Sequence, residues 1–162
     1  MNTGQPRVLV IGVGSVYRSD DGIGIFVAQQ LRTQVPSGVT ILEQSGEGTA
    51  LLESWNGFDA VIVVDAVRSE ASPGTIYRLE ANTDPIPKGF FHYSTHTFSV
   101  AEGIQLARAL ELLPVRLIVY GIEGHTFARG VGLSNAAEQA AASVITQILN
   151  ESRTLLSAAN AE

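Results

Sequence analysis

A chain of 162 residues fits a single hydrophobic core, and its lack of cysteine excludes a disulfide, a thiolate metal site and a cysteine nucleophile. Ten Lys and Arg against sixteen Asp and Glu leave a net charge of −6 with no basic run, which argues against nucleic acid as a partner. Apolar runs such as Ala60 to Val64 fall far short of the ~20 residues that span a bilayer, so no membrane helix is expected. The polar segment Met1 to Arg7 leads directly into a strand pattern without the apolar stretch of a secretory signal, and a cytoplasmic location is the expectation.

Arg7 to Gly12 is a nearly continuous Val, Leu and Ile run, the pattern of a parallel strand covered on both faces. It enters Gly12-Val13-Gly14-Ser15-Val16-Tyr17, which begins like a dinucleotide-binding turn but has Tyr17 where the third glycine belongs. Ile23, Phe26, Val27 and Leu31 follow helical spacing. Val39 to Glu43 is a weaker strand, and a short helix near Ala50 to Trp55, ended by Asn56-Gly57, leads to a second buried strand, Ala60 to Asp65. Thr75 to Leu79 is the expected antiparallel strand, and Asn82 to Tyr93 the one long irregular loop. A helix is predicted from about Phe98 to Leu113, stopped by Pro114, then a third buried strand over Arg116 to Gly121. Ala137, Ala141, Val144, Ile145, Ile148 and Leu149 mark a long final helix, with Ser157 to Glu162 expected to fray. Strands alternating with helices imply one α/β sandwich domain over 1–162, core about 7–157, with a largely parallel sheet and ligands at the carboxyl ends of its strands.

Three side chains stand out as candidates for chemistry at that edge. Asp20 and Asp21 open a helix, where two carboxylates would repel an incoming phosphate. One of them suffices as a helix cap, so Asp20 reads as the cap and Asp21 as functional. Asp65 ends its strand, where a carboxylate either emerges into the ligand crevice or caps a turn. His96, in Ser94-Thr95-His96-Thr97, is either a solvated loop histidine or an imidazole presented to the same crevice. His92, between Phe91 and Tyr93, suits packing or substrate contact, and His125 has no assigned role. No HExxH or GxSxG motif occurs, which excludes thermolysin-like and serine hydrolase sites. If the topology brings Asp21, Asp65 and His96 together, two carboxylates and an imidazole suit a first-row divalent metal with open coordination positions.

Val8-Leu9-Val10-Ile11-Gly12-Val13-Gly14, Asp20-Asp21-Gly22-Ile23-Gly24, Val64-Asp65-Ala66, Ser94-Thr95-His96, Gly121-Ile122-Glu123 and Gly132-Leu133-Ser134 occur in the order of the nickel-iron hydrogenase maturation endopeptidases. The chain resembles that family over about residues 7 to 150. The resemblance implies a three-layer sandwich with a twisted, mostly parallel five-stranded sheet flanked by helices. It also implies removal of a short C-terminal extension from the precursor of the hydrogenase large subunit after nickel insertion. By motif, Asp21, Asp65 and His96 become the nickel-contacting and catalytic residues. The nickel belongs to the substrate, no permanently bound cofactor is expected, and a monomer is the expected state. The alternative is a nickel-binding assembly chaperone that does not cut. Ser15 and Gly124 depart from the family pattern, which often has asparagine and proline there; Gly124 is expected to loosen the loop carrying His125.

Overall fold

The computed structural model describes residues 6–46, 48–87 and 99–160. Five strands, β1 (Val8–Val13), β2 (Val39–Gln44), β3 (Ala60–Val67), β4 (Ile76–Glu80) and β5 (Arg116–Glu123), form one sheet in the order β2-β1-β3-β5-β4. All neighbours are parallel except β4, which runs antiparallel to β5 as expected of its position in the chain. Helices α1 (Ile23–Leu31), α2 (Gly48–Ser54), α3 (Val100–Ala109) and α4 (Asn135–Asn160) complete the fold.

The near-continuous apolar strands have the purpose the sequence suggests, since alternate residues feed two separate cores. Val8, Val10, Ile62, Val64, Ile118 and Tyr120 pack under α1 and α4. Leu9, Ile11, Val61, Val63, Leu117 and Val119 pack under α2 and α3 with Leu51, Trp55 and Ile104. Each such side chain, fully buried, contributes roughly 1.5–3 kcal/mol. The result is the three-layer sandwich.

Several boundaries differ from the sequence reading, and four of the differences have a visible cause. β3 continues two residues past Asp65 and β5 two past Gly121, because the two strands go on pairing through Asp65↔Gly121, Ala66↔Ile122 and Val67↔Glu123. α3 stops at Ala109 rather than Leu113: Glu111 adopts φ 58°, its N–H donates to the Arg108 carbonyl and that of Leu112 to the Ala107 carbonyl. These two bonds satisfy the helix end without a glycine. At the chain's far end, α4 stays helical through Asn160, with Leu155 buried and Leu156 packed on the core, so the tail does not fray from Ser157.

Two features of this frame position the site. From β1 the chain turns back to β2 on one side, whereas from β3 it proceeds to β4 and β5 on the other, so the crevice between β1 and β3 is the switch point where α/β sheets bind ligands. Beside it, α1 lies so close to the sheet that a Cβ on Gly24 would fall 2.4 Å from the carbonyl oxygens of both Val13 and Val64. Only glycine permits that approach.

Candidate active site

Asp21 lies in the segment that follows β1. It belongs to a 3-10 turn, Ser19–Gly22, that precedes α1 and packs against β3. Asp21 is 8% exposed, and one of its carboxylate oxygens accepts the N–H of Ser15 at 3.1 Å. The hydroxyl of Ser15 accepts the N–H of Tyr17 at 3.4 Å, so serine supplies its own local bond in the loop. Asp65 stands on β3, 4% exposed, with Oδ1 accepting the N–H of Ala66 at 2.8 Å. Its register opposite Gly121 lies one step beyond Gly12↔Val64, the last β1–β3 pair. The carboxylate therefore sits on a fully laddered strand at the point where β1 has already left. Asp21 thus follows β1 and Asp65 lies on β3, at the carboxyl ends of two adjacent parallel strands. His96 and His92 lie outside the described residues. Among the described residues no three His, Cys, Asp or Glu side chains form a metal-holding group.

Asp20 does not cap its own helix. The turn and α1 have no side-chain cap, with Arg18 and Gly22 at their cap positions. Instead Asp20, 0% exposed, accepts N–H groups from His125 at 2.7 Å, Thr126 at 3.4 Å and Ser134 at 2.8 Å, and the Ser134 hydroxyl at 2.7 Å. Ser134 in turn caps α4, accepting the Ala137 N–H at 3.3 Å. Burial pushes the Asp20 carboxyl upward, but the backbone donors of Ser134 and His125, with the Ser134 hydroxyl, hold it below the usual carboxylate range. The latch continues along the backbone: the Asp20 N–H donates to the Thr126 carbonyl at 3.0 Å and that of Ser19 to the Gly130 carbonyl at 2.9 Å.

The loop carrying His125 is pinned, not loosened, at Gly124. A Cβ there would lie 2.5 Å from the Phe127 ring and 3.1 Å from Asp20 Cβ, and the Gly124 N–H, which proline would lack, donates to the Val67 carbonyl at 3.0 Å. His125 itself is exposed and serves the latch through its backbone.

Two contributors escaped the sequence reading. Glu123, 2% exposed at the end of β5, accepts the N–H of Ser69 at 2.8 Å and its hydroxyl at 2.5 Å, tying the segment after β3 to the sheet edge. Ser134 is the second. Both lie in motifs noted for the resemblance, yet neither carried a role. A cleft of about 630 Å³ opens beside Glu123, lined also by Arg18, Arg68, His125 and Phe127 among others, a size within the ~300–1,000 Å³ range of ligand sites.

The fold is that of an α/β protein with a mostly parallel five-stranded sheet, with Asp21 and Asp65 buried near the carboxyl ends of the adjacent strands β1 and β3. Residues 25–151 match the family model HycI, hydrogenase maturation protease, and the chain belongs to that family. The hydrogenase 2 maturation protease of Escherichia coli is 27% identical over 147 residues, 88% of each chain. HupD of Thiocapsa roseopersicina, a hydrogenase expression/formation protein, is 29% identical over 121 residues, 74% of this chain and 55% of that one. The chain spans little more than half the length of HupD and similar expression/formation proteins. In three dimensions the chain is similar to the hydrogenase maturating endopeptidase HybD from E. coli, with TM-score 0.77 and 25% identity over 91% of this chain and 93% of that one.

Proposed function

We propose that this protein is an endopeptidase that removes a short C-terminal extension from the nickel-loaded precursor of the nickel-iron hydrogenase large subunit. What supports the reading is membership of the hydrogenase maturation protease family, together with two buried carboxylates, Asp21 and Asp65, near the carboxyl ends of β1 and β3. On this reading nickel arrives with the substrate. Asp21, Asp65 and His96 are its recognition set on the enzyme, and the substrate keeps its own ligands in the remaining positions. Holding the metal fixes the scissile peptide bond beside the carboxylates. Water then attacks the carbonyl carbon, a carboxylate accepts its proton, the C–N bond breaks and the proton passes to the leaving amine. No resident cofactor takes part, and the enzyme works as a cytoplasmic monomer. Among the described residues no helix is long and apolar enough to cross a membrane.

The test is to mix metal-free protein with precursor prepared with and without nickel, and to follow the precursor's mass. Loss of a C-terminal fragment from the nickel-loaded form alone is expected. Binding of the loaded precursor with no mass loss would replace the protease reading with that of a nickel-binding chaperone. Equal cutting of both forms would remove nickel as the recognition element.

A further inference from the structure

Among the described residues, Val16, Tyr17, Leu110, Leu112, Val115 and Val131 are the large hydrophobic side chains most open to solvent. They divide between the two ends of the sheet. Leu110, Leu112 and Val115 precede β5, at the amino edge of the parallel strands, and nothing there indicates an occupant. Val16, Tyr17 and Val131 follow β1 and β5, at the carboxyl edge.

This second group differs from scattered surface apolar residues, which need no explanation. Its two segments are joined: the Gly130 N–H donates to the Tyr17 carbonyl at 3.0 Å, and the Ser19 hydroxyl to the Ala128 carbonyl at 2.8 Å. Tyr17 is nonetheless 72% exposed and Val131 83%. Between the segments lies a cavity of about 180 Å³ walled by Val16, Phe26, Val131 and Leu133, a socket for one apolar side chain. Apolar groups presented on an already hydrogen-bonded backbone lose little freedom on binding, and tyrosine beside a pocket has the character of an interface anchor.

The occupant follows from position and charge. The Ser15 N–H that begins this segment bonds to Asp21, so Val16 and Tyr17 directly follow a residue bonded to a proposed site carboxylate and are placed to meet a protein whose scissile segment reaches it. Arg18 and Arg129 flank the patch and, among the described residues, enter no ion pair, although the chain carries a net charge of −6. We infer that Val16, Tyr17 and Val131 form the docking surface for the folded body of the substrate protein, which inserts an apolar side chain into the socket and places carboxylates against Arg18 and Arg129. This rests on the processing function proposed above and adds where the substrate is held away from the metal.

Tyr17→Ser/Val131→Ser should raise KM for the nickel-loaded precursor about tenfold and leave kcat within twofold, with thermal unfolding unchanged because both side chains are exposed. An unchanged KM overturns the proposal, as does a loss confined to kcat. A second measurement does not depend on cutting: a photo-crosslinking benzoylphenylalanine is placed at Tyr17 and, separately, at Val115. Crosslinking to the precursor from position 17 alone is expected, and crosslinking from position 115 alone moves docking to the opposite end and overturns it. If the precursor crosslinks at 17 but is never cut, the processing reading fails and the docking surface stands. Normal cutting without any crosslink and with unaltered KM in the double variant removes the docking surface only.

Discussion

The carboxylate of Glu151 in α4 meets the guanidinium of Arg78 and the hydroxyl of Tyr120, whereas that of Asp20 meets three N–H groups and a serine hydroxyl. Both are held below the usual carboxylate range. At Glu151 burial pushes upward, and the bonds from Arg78 and Tyr120 outweigh it; at Asp20 neutral dipoles achieve the same. The difference lies in the charge that remains. Arg78 cancels Glu151, so that node ties α4 to β4 and β5 and leaves nothing for a ligand to sense. Asp20 keeps its negative charge next to Asp21, because amides and hydroxyls orient toward an anion without neutralising it. A structural carboxylate placed beside a proposed cation site thus supports the site's polarity as well as its shape.

The largest expected effect breaks the functional side of this comparison. Asp65→Asn, or Asp21→Asn, should lower processing by about a thousandfold, in the range seen on removing a preorganised electrostatic group, while unfolding temperature stays near that of the parent; full processing by either variant removes that residue from the site. Next, Gly24→Ala forces a Cβ against two backbone carbonyls and should cost about 3 kcal/mol by overpacking. Denaturant unfolding would measure it, and an unperturbed midpoint would contradict the close approach of α1. Asp20→Ala strands the donors of His125 and Ser134 and should cost about 2–3 kcal/mol, with Asp20→Asn milder because the amide oxygen still accepts. Tyr120→Phe is the smallest, at about 1 kcal/mol, with processing unchanged; a processing defect there would erase the contrast between the two nodes.

Acid sharpens the same contrast. Since folding lowers the Glu151 pKa, its stabilisation is fully present above the unfolded value of ~4.3 and is lost as pH falls through the folded value. Tyr120 is shifted upward, first by burial and then by its bond to Glu151, so its contribution is lost only as pH rises beyond the unfolded ~10. Urea unfolding between pH 3 and 6 should show a slope that Glu151→Gln flattens.

Much of this architecture is legible in local pattern. Two-sided apolar runs mark β1, β3 and β5, and helical spacing marks α1 and α4. The errors arise where a local sign was overruled from a distance. Asp65 resembles a strand end, yet pairing with β5 carries β3 onward. Glu111 ends α3 in a conformation usually left to glycine, so α3 carries no residue that announces its end. Asp20 looks like a cap, but its partners stand 105 to 114 positions along the chain, beyond any window of periodicity. Asp21 and Asp65 stand out in the sequence as candidates because an acid is costly at the end of an apolar run or beside another acid without a reason. The described residues leave His96 as an inference from sequence.

The Asp20 latch also ties an early segment of the chain to a late one. Its donors belong to the loop after β5 and to the first residues before α4, so the turn bearing Asp21 is fastened only when the last third of the chain has docked. Contacts spanning such separations carry a loop-closure cost that slows folding. The segment between β1 and α1 therefore takes its tether from residues synthesised more than a hundred positions later, at separations of 105 and 114.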